Sequence, residues 1–526
     1  MRFSDRSSDR SIRGMTYWYA LNWALVLVFT FVTLVQGELQ LAQVAGGLTV
    51  TNARRTLDLT GSDVREQVEL HLENTGSTPV EHYYWLTPAS GSQHVGLVHA
   101  SVAGSGEPLL LVKQSERLVD PQDSLLYDLY ALQLPSLLPT GGQLDLSILA
   151  VRTNATDPLP RAVGQFEKHY LVYQANVYLD SPYPVQKQST KVLLPSSSVQ
   201  SFSQSPSPTK KSGKTITYGP YSSVVGLARA PLRVHYYQET PILTLPSVHR
   251  QVRLSHWGGF LTVDDHAVVK HTGAELKGNY QETLRLSAET ETGFIINNFH
   301  MEIPRLAYDV YFRDEVGNLS TTTLHHGEKA QRLIFQSRYP LCGGWIYNWN
   351  HGYHQPLSDV LRYDPETQRY NLQQTLPVLM KGVPEEQVEL DVILPEGAYD
   401  VQVRTAMEID HVDYSTYYSY MDSVGRVLVR FTHHHVVSEY GAYPIIVSYR
   451  MDSLSLFLKP VVLGLALLAA FLLASAMSRV NFKLPAPPSS TVPSKKPSTD
   501  ESNEVSSPVK RNTAAGDLSK RRSKKK

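Results

Sequence analysis

Hydrophobic and polar residues alternate one by one in many short runs between residues 38 and 450. Val68–Glu73, Leu144–Ile148 and Val388–Val392 alternate strictly. Alternation with a period of two indicates β-strands that place one face on a core and the other in water. Clusters of proline and glycine, such as Leu394–Gly397, separate the runs as turns do. The pattern predicts a mainly β fold.

Three short matches recur at nearly the same spacing within this region. They are Leu59 with Leu254, Glu73–Gly76 with Lys270–Gly273, and Lys191–Pro195 with Asp391–Pro395. The offsets are 195, 197 and 200 residues, and a near-constant offset indicates two copies of one unit. We therefore predict two tandem, related β-rich domains, residues 38–240 and 241–450. Each copy ends with a candidate strand, which is Leu232–Tyr236 in the first and Ile445–Tyr449 in the second.

One apolar run near the end of the chain is long enough to cross a bilayer. Pro460–Met477 contains 18 residues and no charge. As a helix rising about 1.5 Å per residue it spans about 27 Å, close to the thickness of a hydrocarbon core. A buried core helix is the alternative, but Arg479, Lys483 and a polar tail follow at once. The sequence predicts one transmembrane helix over residues 454–478.

The first 37 residues have the pattern of a signal peptide. Four arginines precede the apolar run Ala24–Val32, and the small residue Gly37 stands before Glu38. A basic start, a short apolar stretch and a small residue are typical of a cleaved leader. An uncleaved anchor is the alternative, which the shortness of the apolar stretch disfavours.

Charge is distributed unevenly although the whole chain is formally neutral. Residues 479–526 carry a net charge of +8 and residues 1–37 a net charge of +2, so the middle carries −10. Positive charge stays on the cytoplasmic side of a membrane, which predicts a type I orientation with the acidic middle in the lumen. The Ser-, Pro- and Lys-rich tail, 479–526, is predicted to be disordered and cytosolic. Its basic end, Lys520–Lys526, fits either an imperfect dilysine retrieval signal or a solvated basic tail.

Two N-glycosylation motifs lie in the part assigned to the lumen. Asn154 precedes Ala155 and Thr156, and Asn318 precedes Leu319 and Ser320. Both asparagines are candidate acceptors on exposed loops.

The single cysteine of the chain, Cys342, can form no intrachain disulfide. The folded part must then be held together by hydrophobic cores. A lone thiol of this kind is predicted to be a small buried side chain rather than a nucleophile.

The titratable residues of the folded region form no recognisable catalytic pattern. His433, His434 and His435 are consecutive, so in a strand they face alternate sides and do not converge on one metal. The acidic pairs Asp264–Asp265 and Glu385–Glu386 are interpreted as solvated turns rather than as glycosidase carboxylates. We therefore expect no catalytic residues, no cofactor site and no metal site.

Several segments resemble the ribophorin I family. They are Leu254–Gly258, His271–Gly278, Val310–Asn318, Arg338–Trp345 and Val392–Gly397, together with Ser181–Pro184, Tyr218–Tyr221 and Val234–Tyr236. The resemblance covers the predicted lumenal part, most densely from Gly164 to Arg426, and places one membrane span where this chain has it.

The resemblance implies a non-catalytic subunit of the endoplasmic reticulum oligosaccharyltransferase complex. That complex transfers a lipid-linked oligosaccharide to asparagine in Asn-x-Ser/Thr of nascent polypeptides, and the catalytic residues belong to another subunit. It further implies a single-pass type I protein of the endoplasmic reticulum membrane, with a lumenal scaffold that presents acceptor polypeptide. The implied partners are the other subunits and nascent chains, with no specific nucleic acid.

This chain departs from the family in one respect. Animal members carry a longer, helix-forming cytosolic region, and the tail here is short, so the ribosome and translocon stay candidate partners only. A type I cargo or adhesion receptor with two β domains is the alternative function, and a lumenal carbohydrate enzyme is a third.

The predicted transmembrane helix carries small residues at every fourth position, Ala466, Ala470, Ala474 and Ser478. Small residues at this spacing let a second helix approach closely. The alternative is that alanine is simply common in membrane helices. Lys459 directly precedes Pro460 and is predicted to reach up to the lumenal headgroups.

Overall fold

A computed structural model of the chain describes residues 38–39, 41–44, 46–92, 94–121, 123–283 and 294–479. The predicted signal peptide, 1–37, and the tail beyond Arg479 lie outside the described residues. The chain divides into two compact units, one up to Gly464 and one from Leu465 onward. The mainly β fold and the C-terminal helix are confirmed.

Two short helices accompany the strands of the first half, α1 (Leu41–Val44) and α2 (Ala89–Ser92). The strands are β1 (Glu38–Leu39), β2 (Leu48–Asp58), β3 (Val64–Asn74), β4 (Val80–Pro88), β5 (Val95–Val102), β6 (Leu111–Val119), β7 (Leu126–Leu138), β8 (Gln143–Arg152), β9 (Thr156–Pro158), β10 (Ala162–Val163), β11 (Tyr170–Asn176), β12 (Val185–Leu193), β13 (Val199–Phe202), β14 (Thr209–Ser212), β15 (Thr215–Val224) and β16 (Pro231–Tyr237).

Helix α3 (Leu357–Val360) accompanies the strands of the second half. The strands are β17 (Leu243–Ser255), β18 (Phe260–His271), β19 (Glu275–Leu276), β20 (Ile296–Pro304), β21 (Tyr308–Asp314), β22 (Thr322–His326), β23 (Ala330–Leu341), β24 (Ile346–Pro356), β25 (Leu361–Asp364), β26 (Arg369–Gln374), β27 (Glu385–Ile393), β28 (Ala398–Thr405), β29 (His411–Tyr417), β30 (Arg426–Val436) and β31 (Ile445–Met451).

The described strands build the same set of sheets twice. A seven-stranded sheet has the order β5-β8-β3-β2-β12-β15-β14 in the first half and β21-β24-β18-β17-β27-β30-β29 in the second. A four-stranded sheet has the order β9-β11-β16-β13 and then β25-β26-β31-β28. A third sheet contains β6-β7-β4, extended by β1, and then β22-β23-β20. The strand order of these three sheets in the first half thus recurs in the second half.

The register of the strands repeats as well. Each large sheet is antiparallel except for one central parallel pair, β2 with β12 and β17 with β27. Leu57 lies opposite Val192 in the first pair, and Val252 lies opposite Val392 in the second. These residues are related by the offsets of 195 and 200 that the sequence matches gave. The repeat seen in the sequence is therefore also a repeat of strand order and register. The domain boundary near residue 240 stays a prediction.

Alternating burial along the strands explains why these sequences form sheets. Strand β3 buries every second residue, including Val68, Leu70 and Leu72, and leaves the residues between them at least partly exposed. The buried faces of the three sheets in each half pack into one large apolar cluster. Burial of this apolar surface, worth about 25 cal/mol per Å² removed from water, is the main source of stability. The single cysteine, Cys342, is free and forms no disulfide.

The two halves contact each other through specific hydrogen bonds. The Tyr440 hydroxyl donates to the Gly96 carbonyl at 2.9 Å, and the Thr153 hydroxyl lies 2.9 Å from His435 Nδ1. A side chain at Gly96 would place its Cβ 2.5 Å from the His435 carbonyl oxygen, so only glycine allows this approach. Strands β10 and β19 also pair across the halves.

The interpretation of two acidic pairs as solvated turns was wrong. Asp265 lies in β18 and Glu385 in β27, and both side chains are buried. Alternation along a strand turns one member of each pair inward. The Arg250 guanidinium offsets the cost of burying the Asp265 carboxylate, whereas burial raises the pKa of Glu385 and favours its neutral form.

The chain leaves the β region through the 3₁₀ turn Ser453–Phe457 and enters helix α4, Leu458–Arg479. Among the described residues, Ser455–Arg479 is long and apolar enough to cross a membrane. This agrees with the predicted transmembrane segment in length and composition.

Candidate functional site

A groove of about 1460 Å³ is formed by described residues of both halves of the β region. Strand β20 forms one wall, and residues 375–383, which follow β26, form the opposite wall. The 3₁₀ turn Ser438–Ala442 also borders the groove, and Arg65 from the first half reaches it. The groove is therefore open to a ligand as large as a peptide segment.

The edge of β20, rather than one of its faces, borders the groove. Residues Ile296–Pro304 all line it, although alternate residues of a strand point to opposite faces. Strand β20 ends its three-stranded sheet and, in the part of the chain that the structure describes, pairs with β23 alone. A strand edge of this kind presents unpaired N–H and C=O groups that can pair with another extended chain.

The side chains of β20 divide by burial in the usual alternation. Phe299, Met301 and Ile303 are buried in the core of the second half, while His300 and Glu302 are exposed. The apolar residues thus fix the strand in place and leave its backbone edge and polar side chains accessible.

One ion pair connects the two walls. The Lys381 ammonium lies 2.8 Å from Glu302 Oε2, and both side chains are substantially exposed. An exposed pair contributes at most about 1 kcal/mol, so it can open at little cost. The pair therefore contributes little to holding the two walls together.

The base of the groove rests on a buried charged cluster. Arg250 donates from Nε and Nη2 to the two oxygens of Asp265, at 2.6 and 2.8 Å. His351 Nε2 lies 3.1 Å from the same carboxylate. Burial opposes ionisation of Asp265, but the Arg250 guanidinium and His351 outweigh it and hold the pKa of Asp265 far below its usual range. Asp265 therefore holds the Arg250 side chain in place where it lines the groove.

A buried acid fixes the wall opposite β20. Glu385 accepts a hydrogen bond from the Leu379 backbone N–H at 2.7 Å. Burial raises the pKa of Glu385 to about 8, because the charged form has lost its hydration. The side chain is therefore mostly protonated at neutral pH and holds Leu379 in position without adding a net charge.

The groove has the geometry of a binding surface for an extended chain. Pairing along a strand edge uses backbone groups that every peptide has, so it tolerates many sequences. Among the residues that the structure describes, no group of three or more His, Cys, Asp or Glu side chains could hold a metal ion.

The two predicted glycosylation sites are both exposed in turns between strands. Asn154 nevertheless contacts the second half, since its Nδ2 donates to Glu386 at 2.6 Å and its Oδ1 accepts from Thr244 at 3.2 Å. The Oδ1 of Asn318 accepts a hydrogen bond from Arg313 at 3.1 Å. Occupancy of both sites stays a prediction.

The predicted helix face lies on α4. Ala466, Ala470, Ala474 and Ser478 are all exposed. Its role as an interface stays a prediction.

The ammonium of Lys459 has a partner within the protein. It forms an ion pair with Asp422 at 2.8 Å and donates to the Tyr420 carbonyl at 3.3 Å. It is therefore held by the β29–β30 turn, and its approach to lumenal headgroups stays a prediction.

The three consecutive histidines do not converge on one point. His433 contacts the Tyr440 hydroxyl at 2.7 Å, and both His433 and His434 lie beside the Asp410 carboxylate, at 3.4 and 2.9 Å. His435 instead contacts the Thr153 hydroxyl.

Cys342 is buried, and burial raises the pKa of its thiol to about 11. The prediction that this side chain is buried is confirmed.

Sequence reasoning missed the groove because its walls come from separate stretches of the second half. The alternation of β20 is visible in the sequence, but nothing in it indicates that this strand ends a sheet.

Comparison with known proteins identifies relatives over most of the chain. The family model described as Ribophorin I matches residues 48–478. The subunit 1B of dolichyl-diphosphooligosaccharide–protein glycosyltransferase from Arabidopsis thaliana is 29% identical over 448 residues, which is 84% of this chain and 94% of that protein. Subunit 1 of the same enzyme from Caenorhabditis elegans is 24% identical over 438 residues, 83% of this chain and 73% of that protein.

Solved structures offer only a partial likeness. A two-domain M1 zinc metallopeptidase aligns with 39% of this chain and 42% of its own chain, at 14% identity and a TM-score of 0.24. That score is too low to indicate a shared fold.

Proposed function

This chain belongs to the ribophorin I family, and we propose that it is an accessory subunit of the oligosaccharyltransferase complex. That complex transfers a lipid-linked oligosaccharide to asparagine in Asn-x-Ser/Thr of nascent polypeptides. The relatives that match most of this chain are named as subunit 1 of this glycosyltransferase. We assign the catalytic residues to another subunit of the complex.

The proposed location is the endoplasmic reticulum membrane, with the β region in the lumen. The apolar helix α4 supplies the single span. The acidic middle of the chain and the basic residues after Arg479 favour a type I orientation. Both N-glycosylation motifs then lie on the lumenal side.

We assign the groove at β20 to nascent acceptor polypeptide. The free edge of β20 carries this proposal, because pairing through backbone groups suits acceptors that share only a short motif. Glu302 and Lys381 on the two walls can exchange their mutual ion pair for polar groups of the passing chain. The repeated sheets provide the rigid scaffold that holds this edge in place.

Co-purification tests membership of the complex. The chain is tagged at its C-terminus and isolated in mild detergent, and the associated proteins are identified by mass spectrometry. The catalytic subunit is expected in near-equal amount. Its absence would overturn the proposed function, as would transport of the chain to the cell surface, which a receptor would require.

Site-specific cross-linking tests the groove. A photoreactive amino acid replaces His300 on β20 in the assembled complex, and a radiolabelled peptide with an acceptor motif is added before illumination. His325 lies exposed on β22, at the opposite edge of the same sheet, and provides the matched control. Cross-linking at position 300 well above that at position 325 is expected. Equal yields at the two positions would exclude the groove as the acceptor path while leaving membership of the complex intact.

A further inference from the structure

A second pocket, of about 450 Å³, lies where the β region meets the first turns of α4. Its apolar lining comes from several separate stretches of the chain. The contributors include Leu254, Trp257, Met421, Leu456, Pro460 and Leu463. Since Pro460 begins the uncharged run of the proposed membrane span, the pocket lies at the depth of the lumenal membrane surface.

Exposed aromatic side chains surround this pocket. Trp257 is 65% exposed and lies edge-on to Phe457, with ring centroids 6.4 Å apart. The Trp257 indole N–H donates to the Leu456 carbonyl at 2.6 Å, which holds the ring at the start of the helix. Tyr420, whose carbonyl accepts from Lys459, is 87% exposed. Tryptophan and tyrosine prefer the boundary between headgroups and acyl chains, so this arrangement indicates a surface immersed in lipid headgroups.

The charged side chains that line the pocket, Glu396, Arg426 and Lys459, and the neighbouring Asp422 together carry no net charge, but one carboxylate oxygen among them lacks a hydrogen-bond partner. Asp422 is fully buried and pairs with both Arg426, at 3.1 Å, and Lys459, at 2.8 Å. Glu396 accepts three hydrogen bonds at Oε1, from the backbone and hydroxyl of Ser423 and from the Val424 N–H. Its Oε2 is buried and has no hydrogen-bond partner, although the side chain is only 7% exposed and the residue lines the pocket.

Glu396 is charged at neutral pH. Burial opposes ionisation, but the N–H groups of Val424 and Ser423 and the Ser423 hydroxyl outweigh it and hold the pKa of Glu396 below its ordinary value. A buried carboxylate oxygen without a donor is unfavourable, and a cationic donor is the partner that compensates it best.

We propose that this pocket binds one membrane phospholipid with a primary-amine headgroup, such as phosphatidylethanolamine. An acyl chain lies against Leu254, Met421 and Leu463, while the ammonium group donates to Glu396. The phosphate lies beside Arg426 and Lys459, whose combined charge Asp422 only half neutralises. A zwitterionic headgroup thus matches the alternating charges of the site, and the amine, unlike choline, can donate a hydrogen bond. The inference rests on the proposed membrane span.

Lipid analysis of the purified complex tests this site. The tagged complex is isolated from native membranes, washed in detergent, and examined by native mass spectrometry and by lipid extraction. One tightly held ethanolamine phospholipid per complex is expected in the wild type. Glu396→Gln keeps an acceptor for Ser423 and Val424 but removes the charge, and we expect it to lower lipid retention about tenfold.

A filling variant provides the second arm. Leu463→Trp occupies the pocket and is expected to abolish retention, whereas Leu467→Trp lies one turn further along α4 outside the pocket and should retain the lipid. If the Leu463→Trp chain does not assemble into the complex, lipid retention by the Glu396→Gln variant tests the proposal. Three outcomes would each overturn the proposal. The wild type and Glu396→Gln could retain the lipid equally, the complex could retain choline lipids instead, or the wild-type complex could hold no lipid. The catalytic subunit recovered in the same preparations reports separately on the proposed function.

Discussion

Arg55 and Arg250 occupy the same position in the two seven-stranded sheets. Arg55 lies opposite Thr190 in the first central parallel pair, and Arg250 lies opposite Leu390 in the second. The offsets are 195 and 200 residues, as in the sequence matches. The repeat therefore includes a fully or largely buried arginine on the central strand of each sheet.

Each of these arginines belongs to a three-residue charged cluster. The adjacent antiparallel strand supplies a buried carboxylate, Glu66 in the first half and Asp265 in the second. The strand after that supplies a second basic side chain, Arg152 in the first and His351 in the second. Since all three elements correspond, the cluster is a shared feature of the two halves.

Asp265→Ala should destabilise the chain strongly. It leaves the Arg250 guanidinium buried and unpaired, which costs about 3–5 kcal/mol of unfolding free energy. Glu69→Ala is the matched control, because the Arg54–Glu69 pair on the outer face of the first sheet is 60% and 50% exposed. The control should cost at most about 1 kcal/mol. Denaturant unfolding of the purified chain, followed by tryptophan fluorescence, measures both, and similar losses would contradict the role given to the cluster.

Stability should fall as pH rises because of Glu385. Its pKa is raised from 4.5 to about 8 in the folded chain, so folding takes up a proton between these values. A group that binds more protons when folded stabilises the fold fully below its unfolded pKa, and this contribution is lost as pH rises through the folded pKa.

Glu385→Gln isolates this contribution. Glutamine stays neutral at every pH and still accepts the Leu379 hydrogen bond, so unfolding free energy should depend less on pH between about 5 and 9 than in the wild type. Glu366→Gln, on an exposed turn, should leave the wild-type profile unchanged. Parallel profiles for wild type and Glu385→Gln would mean that the acid is ionised in the folded chain.

The contacts of Asn154 can be separated from its predicted glycan. Thr156→Ala removes the acceptor motif but keeps the hydrogen bonds of Asn154 to Glu386 and Thr244. Asn154→Gln removes both the motif and these contacts between the halves, and should lower the unfolding free energy by about 1 kcal/mol more than Thr156→Ala does. Endoglycosidase H shifts on gels report the glycan, with Asn318→Gln as the reference for one lost site. Equal stability of the two variants would show that the contacts contribute nothing.

A structural feature can be predicted from this sequence when the residues that form it are close together along the chain or related by the repeat. Alternation within a strand is local, so β3, β8 and β27 are predicted where they occur, and the offset of the repeat anticipates even the register of the parallel strands. The groove joins Glu302 to Lys381 across several intervening strands, and no local pattern encodes that contact. The ion pair between Lys459 and Asp422 is missed for the same reason, since Asp422 belongs to a distant turn.

Substitution on helix α4 tests the small-residue face. Ala466, Ala470 and Ala474 follow one another at every fourth position, and small side chains there would let a partner helix approach closely enough for dispersion contacts. Ala470→Leu should therefore reduce co-purification of the other subunits. Ala469→Leu adds the same side chain about 100° around the helix and should leave assembly unchanged.

Membrane insertion must be checked in both variants. Glycosylation at Asn318 serves as the reporter, because the acceptor residue is modified only if the β region has reached the lumen. Leucine is at least as favourable as alanine in a membrane span, so both variants should insert normally. Loss of assembly in Ala470→Leu alone, with insertion intact, would assign the face to a partner helix. Equal assembly of the two variants would instead mean that these alanines are ordinary lipid-facing residues.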